Sequence, residues 1–206
     1  PTEAELARQH SVSRSVTREA VKMLTAKGLL SARPRQGTVI QPATSWNLFD
    51  TDVLGWLLER QFSVDLLKHF NQLRVAIEPE AAAIASLSAS PDDLTAIADG
   101  LERMRAAERG ADDTLDADIA FHVAILQATK NPFYVQFREI VGTALRTSIR
   151  FTNRVKGGTA SIADHEKVAA AVADGKPDAA RTAMRYLIGE VMTLIDDAVE
   201  RDLQAG

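Results

Sequence analysis

The sequence predicts a mainly α protein: a winged helix-turn-helix module followed by an antiparallel α-helical bundle. Three observations predict it. Residues 2–28 show two short helical segments joined by a tight turn. The period then changes to that of short strands around Pro34-Arg35-Gln36-Gly37. From Ser63 onward, long helical stretches are punctuated only by Gly, Pro and Asn.

Thr2-Glu-Ala-Glu5 has the form of a capping box, which opens a helix through Leu6 and Ala7 to about His10. Ser11 and Val12 make the turn. Ser13 then caps a second helix that Gly28 ends, since Gly tolerates the left-handed conformation found there. Val16, Ala20, Val21 and Leu24 form one apolar stripe at helical spacing. Arg14, Ser15, Thr17, Arg18 and Lys22 lie off it, crowded toward the leading end. Such a helix fits the major groove, with early side chains at base edges and basic ones at phosphates. Leu29 to Arg33 and Thr38 to Gln41 read as the strands of a hairpin with a basic tip, a wing carrying Arg33, Arg35 and Gly37. A helix pair packed inside some other α-rich domain is the plain alternative.

The net charge of −4 hides an asymmetry. Residues 1–42 carry seven Lys or Arg against three Glu, a balance of +4, so the remainder is −8. A basic module on an acidic body suits binding to nucleic acid through one end, because phosphate neutralisation supplies most non-specific affinity. Ordinary surface charge would give a similar count. There are no Cys residues, which removes disulfides and thiolate metal sites. No apolar run approaches the roughly 20 residues of a membrane span, and no signal peptide is visible. The expected setting is the cytoplasm.

Gln41-Pro-Ala-Thr-Ser45 is a linker by composition. Trp46, Phe49, Leu54, Trp56, Leu57 and Leu58 follow, too many large apolar groups to leave in water, and predict a docking helix from about Asp52. The expected organisation is therefore a DNA-binding domain over 1–42, a linker and docking helix over 43–62, and a helical domain over 63–206. Six further helices are expected at about 63–87, 91–109, 112–129, 132–156, 161–174 and 177–203.

Polar residues on the dry stripes of these helices are informative. Arg74 sits among Leu66, Leu67, Phe70, Leu73, Ile77, Ala81 and Ile84. A buried guanidinium needs an anion. That anion is internal, Glu78 or Asp118, or it is the carboxylate of a bound effector held in two-pronged fashion. Asp118 and His122 are four apart and share a helical face, so they can meet one metal ion. His165 lies on a stripe with Val168, Ala169 and Val172. Each His alone could be a satisfied core residue; together with Asp118 they favour a metal, because bundle cores build such sites from facing helices. His10 and His69 lie outside these patterns.

Two sets of motifs resemble a known family. Glu5-Leu6-Ala7, Val12-Ser13-Arg14, Arg18-Glu19-Ala20, Gly28-Leu29, Arg33 and Gly37-Thr38 resemble the winged helix of GntR-type transcriptional regulators. Val16-Thr17 departs from the family's usual Pro-Val. The family has a further helix before the capping box, which implies that this chain is truncated at its N-terminus. Arg74 with Glu78, Asp118-x-x-x-His122 running to Asn131, and Asp164-His165-Glu166 resemble the ligand-binding domain of the FadR subfamily. Trp46 to Glu59 is similar to the same segment of sugar-acid-responsive members.

The resemblance implies a homodimeric repressor that binds double-stranded operator DNA and responds to a small carboxylate effector, a sugar acid such as galactonate. Asp118, His122 and His165 would hold a divalent metal, zinc by family habit, beside that effector. The family's last His is absent: Leu187 follows Ala183-Met184-Arg185-Tyr186. Asn131 reads as a helix stop rather than a ligand. Two alternatives stand beside this reading. One is a metallo-hydrolase built on the Asp/His/His set, since a metal with open positions can activate water. The other is a regulator that senses metal alone.

Overall fold

The computed structural model of the chain describes residues 2–33, 37–60, 64–156 and 161–205, with the side chains of 33, 60, 147–156 and 197–205 left out. Arg35, the side chain of Arg33 and the boundaries expected at Ser63 and Gly157-Gly158 lie outside the described residues. The chain divides into two compact units, Pro1–Leu57 and Leu58–Gly206.

The N-terminal unit opens with α1 (Glu3–Gln9) and α2 (Arg14–Ala26). The capping box at α1 forms: Glu5 N donates to Thr2 Oγ1, and Thr2 N donates to Glu5 Oε2 at 2.7 Å. Ser13 caps α2 by accepting from Val16 N. Gly28 follows the helix at φ +77°, where a Cβ would lie 2.2 Å from the Ser45 carbonyl oxygen. A side chain there is excluded both by conformation and by the linker passing over it. The strands β1 (Leu30–Arg33) and β2 (Gly37–Ile40) pair antiparallel, with Leu30 opposite Ile40 and Arg33 opposite Gly37.

The linker belongs to this unit rather than standing apart. Trp46 Nε1 donates to Gln41 O, and Asn47 N donates to Lys27 O. Lys27 Nζ reaches Asp50 at 2.6 Å and Asp52 at 2.8 Å, and lies 5.8 Å from the centre of the Trp56 ring. Asp50 in turn accepts from Val53 N at the start of α3 (Thr51–Arg60). The apolar run at 46–58 thus contains a polar anchor fixed to Lys27, the residue that caps α2.

The second unit is a bundle of α4 (Val64–Ser88), α5 (Pro91–Glu108), α6 (Thr114–Ala128), α7 (Pro132–Lys156), α8 (Ile162–Ala173) and α9 (Pro177–Ala205). The starts are set by local side chains: Ser90 with Asp93 before α5, Asp113 before α6, Ser161 before α8. α6 packs against α4, α5 and α7, while α9 lies along α4 and α8. Ala117, Ile119, Phe121, Ala124, Ile125, Leu126 and Ala128 are all buried, so α6 is covered on nearly every side. Gly100 on α5 lets the two helices approach: a Cβ there would stand 3.0 Å from Phe121 Cα. Among the described residues, no helix is long and apolar enough to cross a membrane.

Candidate metal centre and nucleic-acid interface

The residues expected to meet DNA lie along α2, and the structure sorts them. Arg14 is exposed at the first position and makes no ion pair among the described residues. Ser15 Oγ lies 2.8 Å from Ser13 Oγ. Arg18 is 64% exposed, with Glu3 3.5 Å away. Lys22 is equally open and bonded to Glu19. Gly37 begins β2 at φ +77° with nothing near its Cβ position, so conformation alone favours glycine there.

Two expectations about α2 are corrected. Thr17 does not face outward: it is 6% exposed, and its hydroxyl donates to Ser13 O at 3.3 Å. The dry side runs through Thr17 and Val21, whereas Val16 is 55% exposed and Ala20 is also open. Thr17 can be buried because the Ser13 carbonyl, four residues back, satisfies its hydroxyl.

The second site lies inside the helical unit. Asp118 and His122 project from α6 and His165 from α8, all buried, and each offers a ligand atom within 4.8 Å of the others. His165 Nδ1 lies 2.8 Å from Ser161 O. A carbonyl only accepts, so Nδ1 carries the proton and Nε2 of the neutral ring presents a lone pair. Asp118 Oδ1 lies 2.8 Å from Nε2, two acceptors that only a proton or a cation between them makes favourable. His122 is oriented the same way: Nδ1 lies 2.6 Å from Glu78 Oε2, and Nε2 lies 3.7 Å from Asp118 Oδ1. The assignment of its proton to Nδ1 follows from those neighbours. Phe121 stands edge-on to both imidazoles, its ring centre 4.9 Å from that of His165.

Among the described residues, three buried side-chain atoms lack an aligned hydrogen bond: Asp118 Oδ1, His122 Nδ1 and His165 Nε2. One belongs to each member of the cluster. The close approaches of these atoms are therefore ion-pair distances without hydrogen-bond geometry. Two lone-pair nitrogens around a carboxylate oxygen, each with its far nitrogen directed at Glu78 or a carbonyl, form a donor set that fits a divalent cation.

Charge around the cluster is balanced by Arg74 and Glu78. Arg74 Nε donates to Glu78 Oε1 at 2.5 Å, Nη2 to Glu78 Oε2 at 3.3 Å, and Nη1 to Asn71 Oδ1 at 3.2 Å. Nη2 also lies 3.4 Å from His122 Nε2. Burial pushes the Glu78 carboxyl up, but Arg74 and His122 outweigh it and hold it at about 2. Burial likewise raises Asp118, yet His165, His122 and Arg74 bring it below the ordinary range. His165 is moved the other way: burial lowers it, and Asp118 more than compensates. The same field that favours a proton on His165 favours any cation at that point.

The structure thus brings Asp118, His122 and His165 together as expected, and pairs Arg74 with Glu78, the internal partner weighed from the sequence. Leu187 on α9 is buried. Sequence reasoning missed Asn71, fully buried, and the approach of Glu78 to His122. Asn71, Arg74 and Glu78 are spaced three and four apart on one face of α4, and that polar row was the available signal.

Residues 70–190 match the FCD domain, and residues 1–40 match the bacterial regulatory proteins of the gntR family. The chain belongs to the GntR family. An uncharacterised HTH-type transcriptional regulator of Escherichia coli K12, YieP, is 30% identical over 91% of this chain and 82% of its own. The galactonate operon transcriptional repressor of the same organism is 34% identical over 71% of this chain and 64% of its own length. A solved Streptococcus agalactiae GntR structure superposes with a TM-score of 0.57, at 24% identity, over 94% of this chain and 88% of that one. This GntR-family chain is a DNA-binding transcriptional regulator with an FCD domain, not an enzyme, which removes the metallo-hydrolase alternative.

Proposed function

We propose that this GntR-family chain is a homodimeric repressor whose operator affinity falls when its helical unit binds a sugar acid beside a divalent metal. The observation that carries the reading is the convergence of ligand atoms of Asp118, His122 and His165 within 4.8 Å in a buried place where Asp118 Oδ1 and His165 Nε2 have no protein hydrogen bond among the described residues. These three residues would hold the metal, with zinc the expected ion. A bound divalent ion would supply positive charge that a carboxylate and an adjacent hydroxyl can coordinate. Glu78 and the Ser161 carbonyl hold the two imidazoles in the required tautomer. Arg74 has five N–H donors, of which Glu78 and Asn71 take three. A fourth faces His122 Nε2 at 3.4 Å, and the last is available to the effector carboxylate. Similarity to the galactonate operon repressor supports a sugar acid as the ligand class.

On DNA, α2 enters the major groove with Arg14 and Ser15 at its leading end, Arg18 and Lys22 toward phosphate, and the wing residues Arg33, Arg35 and Gly37 against the backbone. A two-fold dimer would present two such helices to a palindrome.

A second reading, regulation by metal alone, is favoured by the engagement of Arg74 with Glu78, which leaves fewer donors for an organic acid. One experiment separates the two. The full-length protein is stripped of metal, then titrated with zinc and with galactonate, separately and together, while operator binding is followed by anisotropy. Release that needs both ligands supports the proposal. Release by zinc alone supports the second reading. Release by galactonate with no metal uptake overturns the metal centre.

A further inference from the structure

The leading turn of α2 contains one group whose chemistry is left open by the assignments above. Thr17 is turned inward, and Ser15 lies against Ser13. Val16 stands between them, 55% exposed on the third residue of the helix, two positions from Arg14, whose guanidinium has no ion pair among the described residues. Its amide is already held by the Ser13 cap, so its backbone position is fixed. A β-branched side chain has little rotational freedom in a helix, so the two methyl groups are presented in nearly one orientation. The other exposed large apolar residue of α2, Met23, lies two turns further on and away from the leading end.

We propose that Val16 reads the 5-methyl group of a thymine in the major groove, adjacent to the base or phosphate met by Arg14. The inference rests on the DNA-binding role of α2 proposed above. In the major groove, thymine differs from the other bases by an apolar methyl group, and an apolar side chain is its natural complement. An exposed valine at a leading end that otherwise carries Arg14, Ser15 and Arg18 gains from burial against such a group. Thr17, the residue whose own methyl and hydroxyl would have suited this role, is instead part of the packing.

The test begins by selecting a duplex from a randomised pool with the full-length protein. Each thymine of the selected half-site is then replaced in turn by uracil, which removes only the methyl. One thymine per half-site is expected to lose about threefold to fivefold in affinity, the scale of one buried methyl. The loss should vanish in Val16→Ser and persist in Val16→Ile, with helix content checked by circular dichroism for both. A wild-type protein indifferent to every uracil overturns the proposal, and so does a penalty that survives in Val16→Ser. Failure to select any sequence would appear at the first step and would instead strike the DNA-binding role of α2 itself.

Discussion

Arg18 and Arg74 carry the same guanidinium in opposite surroundings. Arg18 is 64% exposed on α2 and has Glu3 no nearer than 3.5 Å. Arg74 is 3% exposed on α4 and makes two bonds to a Glu78 that is itself 1% exposed. Water keeps the first charge solvated at little cost and leaves it free for an anion that arrives later. Burial makes the second charge tolerable only because an anion is already there. The leading end of α2 keeps Arg14 and Arg18 exposed, and the interior of the helical unit pairs Arg74 with Glu78 while leaving atoms of Asp118, His122 and His165 without a hydrogen bond among the described residues. The place where satisfaction fails is therefore the informative one in the interior, and the place where pairing is absent is the informative one on the surface.

The most severe break of that contrast is Glu78→Ala. It strands Arg74 in the interior, and breaking a buried pair in this way costs about 3–5 kcal/mol. Urea denaturation of the wild type and the variant measures it. Glu3→Ala, which removes the neighbour of Arg18, should leave the denaturation midpoint where it was. Equal shifts in the two variants would mean that burial is not what distinguishes the two arginines.

The metal centre gives the next effect. Asp118→Asn removes the charge that both imidazoles face, and divalent uptake by elemental analysis should be lost. Glu78→Gln is milder, since it keeps shape while weakening the orientation of His122; a loss of about 10–100-fold in metal affinity is expected of such a partner. Leu187→His should tighten metal binding if Leu187 occupies the place of a further ligand. Unchanged zinc titrations across all three variants would leave the cluster as core packing.

Much of this was legible because it is local. The Thr2–Glu5 box, the Ser13 and Ser90 caps, Gly28 and the six helices of the second unit depend on neighbours in sequence. Asp118 and His122 share a helix, so their common face followed from spacing, and the family motifs pointed to His165. The failures were of two physical kinds. Val16 and Thr17 are one residue apart on a 13-residue helix, and an apolar residue was assigned inward although a carbonyl acceptor made the hydroxyl equally acceptable there. Glu78 serves Arg74 on its own helix and His122 on another. Only the first of those relations has a sequence spacing. The attachment of Asp50 and Asp52 to Lys27 is likewise a contact across more than 20 residues that no period announces.

A smaller effect sharpens the surface half of the contrast. Arg14 has no ion pair among the described residues and leads α2, whereas Lys22 is already bonded to Glu19. Arg14→Ala should relax preference at one base pair by about 1–3 kcal/mol if it reads guanine. Lys22→Ala should weaken all sequences alike and lower the salt slope by about one phosphate. Titrations of selected and scrambled duplexes at several salt concentrations check both. Identical behaviour of the two variants would mean that pairing on the free protein does not predict the role on DNA.

The smallest expected effect separates two carboxylates held at the same level for different reasons. Glu78 and Asp93 both lie at about 2. Glu78 reaches it against burial, through Arg74. Asp93 reaches it chiefly through Lys130, 2.5 Å away, and then through Ser90, whose amide it caps. A carboxyl held below its ordinary value stabilises the fold above the unfolded value, near 4. That contribution drains away as pH falls toward 2, because the unfolded chain takes up the proton first. Both groups therefore load the same acid window, and a single melting curve cannot separate them. Asp93→Asn removes one of the two titrations while keeping the shape of the α5 start. The difference in stability between wild type and Asp93→Asn should be constant above about pH 5 and should shrink between about pH 4 and pH 2. Raising the salt concentration should reduce that difference more than it changes the acid limb that remains in the variant, because the Asp93 pair is partly solvated and the Glu78 pair is not. A difference that stays flat down to pH 2 would show that Lys130 does not hold Asp93 in solution, and the acid limb would then belong to the interior carboxylates alone.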